Sequence, residues 1–194
     1  MKKILFVSLL LISLFTLIGC NSQAAEYKSD IQSVADKMLD NASEAEIILD
    51  KYSSVWDYSI KSSAAIPVEE MVQVTGFDPS DIENHFVINA AGNIPDDFST
   101  NIYSVNSYYE ESGALGEIEN EANEIKEKVN ELNNPPKDFE KVYDELLDMF
   151  TYTEEYIEMA LDPSGSLQSF NEEKNQLSSD IASKHKRIEA VMPN

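Results

Sequence analysis

Apolar residues recur at steps of three and four along most of this chain. From Lys28 to Ser63, Ile31, Val34, Met38, Ala42, Ala45, Leu49, Tyr52, Val55 and Ile60 trace one stripe, widened by Ile48 and Trp56. That spacing places them on one face of a helix. No Pro or Gly interrupts the run, so one long helix is predicted over 28–63. A second stripe follows Asp96-Asp97-Phe98, where carboxylates suit a helix start. It runs Ile102, Val105, Tyr109, Leu115, Ile118, Ala122, Ile125, Val129 and Leu132, the later members at heptad steps. Gly113 and Gly116 weaken its middle and mark a bend or a close helix contact. Asn133-Asn134-Pro135-Pro136 ends it, because a residue before proline avoids the helical region.

A third helix is predicted from Pro136 to Leu161, with Phe139, Val142, Leu146, Met149, Thr153, Tyr156 and Ala160 in line and Tyr143, Phe150 and Ile157 beside them. Asp162-Pro163-Ser164-Gly165 reads as a tight turn. The fourth helix starts near Ser166 with Leu167, Phe170, Lys174, Leu177, Ile181, Lys184, Ile188 and Val191, so two lysines occupy otherwise apolar positions. Residues 64–96 break the pattern with Pro67, Gly76, Pro79, Gly92 and Pro95. Short helices are expected there, one starting at Pro67 and one at Asp78-Pro79. Phe86-Val87-Ile88 is open to a brief strand instead. The fold class is therefore all-α: an antiparallel bundle of about four long amphipathic helices, with a short-helix excursion between the first two.

The first nineteen residues have a different character. Lys2 and Lys3 precede the apolar run Ile4–Ile18, which is short for a membrane span and matches the apolar core of an export signal. Its end, Leu17-Ile18-Gly19-Cys20, holds the one cysteine of the chain. The tetrad resembles the lipobox of bacterial lipoproteins, an aliphatic residue, a short residue, Gly or Ala, then Cys; Ile18 is the less usual choice at its position. The resemblance implies that the Cys20 thiol receives a diacylglyceryl group. Cleavage before Cys20 then makes it the first mature residue, lipid-anchored on the extracytoplasmic face of the cell membrane. Two acyl chains are needed because each buried methylene contributes only about 0.8 kcal/mol. The organisation expected is a signal peptide over 1–19, a flexible tether over 20–27 and a helical domain over 28–192, with 64–96 an irregular insertion.

Charge narrows the partners. The chain carries 36 acidic and 14 basic residues, a net −22. Lys2 and Lys3 are the basic residues of the first nineteen, which contain no acid, so removing that segment leaves −24. Such a surface repels nucleic acid, whose phosphates need clustered Lys and Arg. It also disfavours docking on anionic lipid through basic patches. Cys20 has no second cysteine to pair with, so the exported domain depends on its core.

A second resemblance rests on Trp56 followed by Ile60, on Pro135-Pro136 before a helix, and on Pro163-Ser164-Gly165-Ser166-Leu167 opening the last one. These look like a group of uncharacterised Gram-positive helical surface lipoproteins. The group implies location and fold, and carries no catalytic residues to transfer.

Chemistry-bearing residues are sparse. His85 and His185 stand a hundred positions apart and outside any ligand spacing. His185, among Lys184, Lys186 and Arg187, suits a helix C-terminus. Glu117, Glu121 and Glu124 share one helix face, and Glu140, Asp144 and Asp148 another. Either row is a solvated face or a divalent-cation bridge, although calcium wants six to eight oxygens. Tyr103, Tyr108, Tyr109, Phe139, Tyr143, Phe150, Tyr152 and Tyr156 form an aromatic set, suited to packing or to stacking on a ligand. No nucleophile elbow and no phosphate-cradling loop occurs. The expectation is a non-enzymatic envelope module without a cofactor, anchored by lipid and facing a protein or envelope partner, with Ile47 and Trp56 as contact candidates if exposed. The alternatives are an envelope receptor for a small ligand or glycan, and a lipoprotein of the phage-exclusion type.

Overall fold

The computed structural model describes residues 2–193, with side chains from residue 23 onward. The fold is all-α, with seven α-helices and one two-stranded sheet among the described residues. The elements are α1 (Lys2–Lys61), β1 (Ile66–Pro67), α2 (Val68–Thr75), α3 (Pro79–His85), β2 (Asn93–Ile94), α4 (Phe98–Glu111), α5 (Ala114–Glu131), α6 (Glu140–Leu161) and α7 (Leu167–Val191). A 3-10 turn at Lys137–Phe139 leads into α6. Leu17, Ile18, Gly19 and Cys20 lie outside the residues whose side chains are described.

Helix α1 is the spine of the bundle, packing against α2, α4, α5, α6 and α7. Its stripe is buried from Ile31 to Trp56, including Met38, Leu49 and Tyr52. Ile60 departs from the expected stripe and is 53 % exposed, because the covered face of the last turn is that of Ser59, which is buried and accepts from the Asn101 amide at 3.0 Å. The predicted tether is corrected in part: Gln23 to Tyr27 already belong to α1. The Tyr27 hydroxyl donates to the Leu132 carbonyl at 2.7 Å, and its ring meets Phe139 edge-on at 5.2 Å. That aromatic contact and hydrogen bond hold the start of the described helix against α5 and the turn before α6.

The second predicted helix is two helices. Gly113, at φ 85, stands between α4 and α5 in a conformation that costs residues with a side chain about 1 kcal/mol or more. Gly116 has open space where a Cβ would lie, so it marks no close helix contact. Asp97 starts α4 as expected, its carboxylate accepting from the Ser99 and Thr100 amides at 3.0 and 3.3 Å. Ser166 starts α7 in a reciprocal cap with Ser169.

In the excursion, the strand pairing is Ile66 with Ile94 and Pro67 with Asn93, antiparallel. Phe86-Val87-Ile88 forms no strand; Phe86 instead closes α3 and is buried. Ile66, Met71, Phe77, Ile82 and Ile94 join the same core as α1. The excursion is therefore a lid of short elements over that core. Lys51 fastens it further, its ammonium 5.9 Å over the Phe77 ring.

Cross-helix contacts set the register. Near the start of the described part of α1, Lys28 donates to the Pro193 carbonyl at 2.7 Å. Midway, Asn41 donates to the Ile118 carbonyl at 3.1 Å. Toward its end, the Tyr52 hydroxyl donates to the Ala160 carbonyl at 3.2 Å, and Trp56 packs on Phe98 and Phe170. The end of α1 thus meets the start of α4, the end of α6 and the start of α7.

Candidate functional site

The most distinctive cleft lies where those four helix ends converge. Trp56 closes its inner side. The α1 stripe turns the indole inward, leaving it 4 % exposed. Phe98, the first residue of α4, stacks on it with ring centroids 5.7 Å apart and planes 12° from parallel. Phe170 of α7 backs the indole from another side at 5.7 Å. Because the Asp97 cap fixes where α4 begins, it also fixes where Phe98 sits.

One wall is α4, with Ser99, Ile102, Tyr103 and Asn106. The facing wall is Leu161 to Gly165, the turn between α6 and α7. Gly165 takes φ +92 there, and a Cβ on it would approach the Ser169 hydroxyl to 3.1 Å. The Asn106 amide bridges the walls, donating to the Tyr52 hydroxyl at 3.0 Å and the Leu161 carbonyl at 3.3 Å. The volume of this open cleft is about 450 Å³. Phe98 is 42 % and Tyr103 72 % exposed, so aromatic faces line an opening that solvent reaches. A second cleft of about 440 Å³ adjoins it, sharing Leu161, Asp162 and Ser164 and adding Glu155, Glu158 and Glu173. Neither lining contains Lys or Arg.

A cleft of about 490 Å³ lies along residues 23–37 of α1, against the end of α5, and is lined largely by charged and polar residues. Its Lys128 pairs with Glu131 at 2.7 Å, and its Lys37 with Glu124 at 3.6 Å. Burial pushes the Tyr27 hydroxyl there up to about 12, with the Tyr143 phenol adding to the shift. Glu26 and Asp30 of its lining take part in none of the ion pairs among the described residues, but the cleft also holds two lysines, Lys37 and Lys128, which the Trp56 cleft lacks.

The structure disperses the other sequence candidates. His85 lies edge-on to Tyr108 at 5.5 Å and 3.8 Å from Glu111. His185 meets Asp36 of α1 at 2.7 Å, a cross-helix contact rather than a helix-end cap. Among the described residues, neither histidine hydrogen-bonds a serine or threonine hydroxyl, and no group of three or more His, Cys, Asp and Glu is placed to hold a metal. Of the acidic rows, Glu124 faces Lys37, and Asp148 faces Lys184 at 2.5 Å. Desolvation, then repulsion from Glu44, Asp40 and Glu124, raises the Glu121 carboxyl above its ordinary value against the pull of Lys37.

The aromatic set does not form one groove. Tyr108 and Tyr109 pack on Phe77, Tyr143 lies beside Val129, Tyr156 is buried, and only Tyr103 of the set lines the Trp56 cleft. Trp56 is buried in the cleft's inner side, not an exposed contact, whereas Ile47 is 64 % exposed. Phe98 and the 161–165 turn were not singled out by sequence reasoning as site residues. The Asp97 cap and the Pro163–Gly165 turn were visible, but their meeting at Trp56 is a long-range event.

Both lysines at heptad positions find acids. Lys174 pairs with Asp50, and Lys184 with Glu145 and Asp148. Arg187 also holds Glu145, a largely buried carboxylate.

Compared with known proteins, the chain matches no family model, no curated protein and no solved structure. Among the described residues, no helix is long and apolar enough to cross a membrane.

Proposed function

We propose that this chain is an envelope lipoprotein, held by a diacylated Cys20 on the extracytoplasmic face of the cell membrane, whose helical domain is a non-enzymatic interaction module. In this reading α1, the α4–α5 pair, α6 and α7 alternate in direction as a four-layer antiparallel bundle. The observation that carries it is the position of the aromatic cleft. From Gln23 to Trp56, α1 spans roughly 50 Å at about 1.5 Å per residue. An anchor near one end of a rod and an open aromatic cleft near the other suit capture at a distance from the lipid surface. The partner is a protein or another envelope component. Nucleic acid is disfavoured by the net −22 charge.

A receptor for a small ligand or glycan is the second reading, favoured by a cleft volume of about 450 Å³. Two experiments test the proposal. Palmitate labelling is expected in the wild type and absent in Cys20→Ser; equal labelling removes the anchor. A photo-crosslinking residue at Tyr103 is expected to trap an envelope component that the same residue at Ile47 does not. Equal trapping at both positions removes the cleft as the capture site.

A further inference from the structure

We infer that the aromatic cleft and the acidic cleft beside it form one composite site for a basic peptide segment of a partner protein. A bulky apolar side chain of the segment packs on the exposed faces of Phe98 and Tyr103, over the floor that Trp56 forms, while flanking Arg or Lys side chains meet Asp162, Glu158 and Glu173. The inference rests on reading the cleft as the capture site, and names what is captured.

Three features favour this chemistry. The two clefts share Leu161, Asp162 and Ser164, so one extended segment passing over the α6–α7 turn touches both. Glu155, Glu158, Asp162 and Glu173 take part in none of the ion pairs among the described residues, and the nearby Lys174 is held by Asp50. The acids face solvent, and the one base whose charge Glu158 is seen to act on, Lys126, is already paired with Glu154; a cationic segment therefore meets a complementary field. The third feature is the exposed Tyr103 ring beside the Asp162 wall. A guanidinium can stack on such a ring while its edge reaches a carboxylate.

The alternatives fit less well. An anionic ligand would be repelled by these acids. A glycan would stack on an open indole face, but Phe98 and Phe170 already pack on Trp56. Sugar hydroxyls also have no need of four exposed carboxylates.

Trp56 is the one tryptophan of the chain, so indole emission reports on the cleft directly. The test titrates the detergent-solubilised full chain with capped hexapeptides and follows that emission. A peptide alternating arginine and leucine is expected to shift it saturably. Raising salt from about 0.05 to about 0.5 M is expected to weaken binding at least tenfold. Tyr103→Ala and Asp162→Asn are each expected to weaken it about fivefold, with unchanged circular dichroism because both side chains are exposed. Glu117→Gln, on α5 and outside both clefts, is expected to leave the affinity unchanged. A peptide alternating glutamate and leucine is expected to produce no shift.

An equal response to the acidic peptide overturns the inference, as does equal weakening by Glu117→Gln. A shift with oligomeric N-acetylglucosamine and none with the arginine–leucine peptide also overturns it, and leaves the capture reading standing. No shift with any probe, together with no Tyr103-specific crosslink, overturns both.

Discussion

The Asn106 side-chain amide donates a 3.0 Å hydrogen bond to the Tyr52 hydroxyl, joining α4 to α1 beside the aromatic cleft. The same hydroxyl donates to the Ala160 carbonyl at 3.2 Å, so one buried phenol ties three helices together. Desolvation raises its pKa well above the ordinary phenol value, more than the Asn106 bond lowers it. Burial therefore favours the neutral, donating form of this phenol in the folded state. Tyr52→Phe removes both bonds and leaves a buried carbonyl without that partner. We expect a loss of about 1–3 kcal/mol, read as a lower denaturation midpoint at unchanged slope. Asn106 keeps its Leu161 contact, so the cleft wall shifts rather than collapses.

Glu121 makes a prediction of the opposite sign. Its raised carboxyl pKa means that the ionised form is disfavoured in the folded state by desolvation and by Glu44, Asp40 and Glu124. Its stabilising contribution is present at acid pH, below the unfolded value, and is lost as pH rises through the folded one. Glu121→Gln should therefore stabilise the protein at pH 7, by on the order of 0.5 kcal/mol. The gain should vanish at acid pH, where the wild-type carboxyl is protonated. Thermal melts of the two proteins across pH check this.

The Glu145 cluster sets limits on both sides. The Lys184 bond is the largest influence holding the Glu145 carboxyl below its ordinary value; Arg187 adds to it, and burial opposes. That stabilisation is complete above the unfolded carboxylate value and is lost as pH falls through the lowered folded one. Lys184 is raised, first by the Asp148 bond and then by Glu145. Its contribution is complete below the ordinary lysine value and is lost as pH rises through the raised one. Glu145→Gln should cost about 1 kcal/mol near neutrality, since Asp148 continues to hold Lys184. The difference from wild type should shrink in acid, as followed by denaturant melts at several pH values.

Gly113 tests the break between α4 and α5. Its φ of +85, with no atom within 4 Å of a Cβ position, separates strain from collision. Gly113→Ala should destabilise by about 1–2 kcal/mol through backbone strain alone. Replacement by Asn, which tolerates the left-handed region, should recover part of that loss. Denaturation midpoints of the two variants give the comparison.

Periodicity carried the helix faces well because burial follows the stripe wherever a neighbouring helix covers it. Phe139, Val142, Leu146, Met149, Thr153, Tyr156 and Ala160 all lie in the core. It failed at Ile60, where α4 covers the neighbouring Ser59 face instead, and at the second helix, where one left-handed glycine divides a continuous seam. The heptad lysines show another limit. Lys184 looks misplaced in a stripe until Glu145 and Asp148 are brought to it from α6. The aromatic cleft was the least legible feature, since its residues come from positions 56, 98–106 and 161–165.

The sequence by itself determined the all-α class, the faces of the long helices, the Asp97 and Ser166 starts, the strong negative charge and the tetrad on which the lipid anchor is proposed. These are local properties: spacing, capping chemistry and counts of ionisable groups. Tertiary structure decided how the helices register, which acids retain a counter-charge, and that Trp56, Phe98, Tyr103 and Asp162 share one cleft. Those outcomes depend on contacts between residues far apart in the chain, which helical periodicity does not encode.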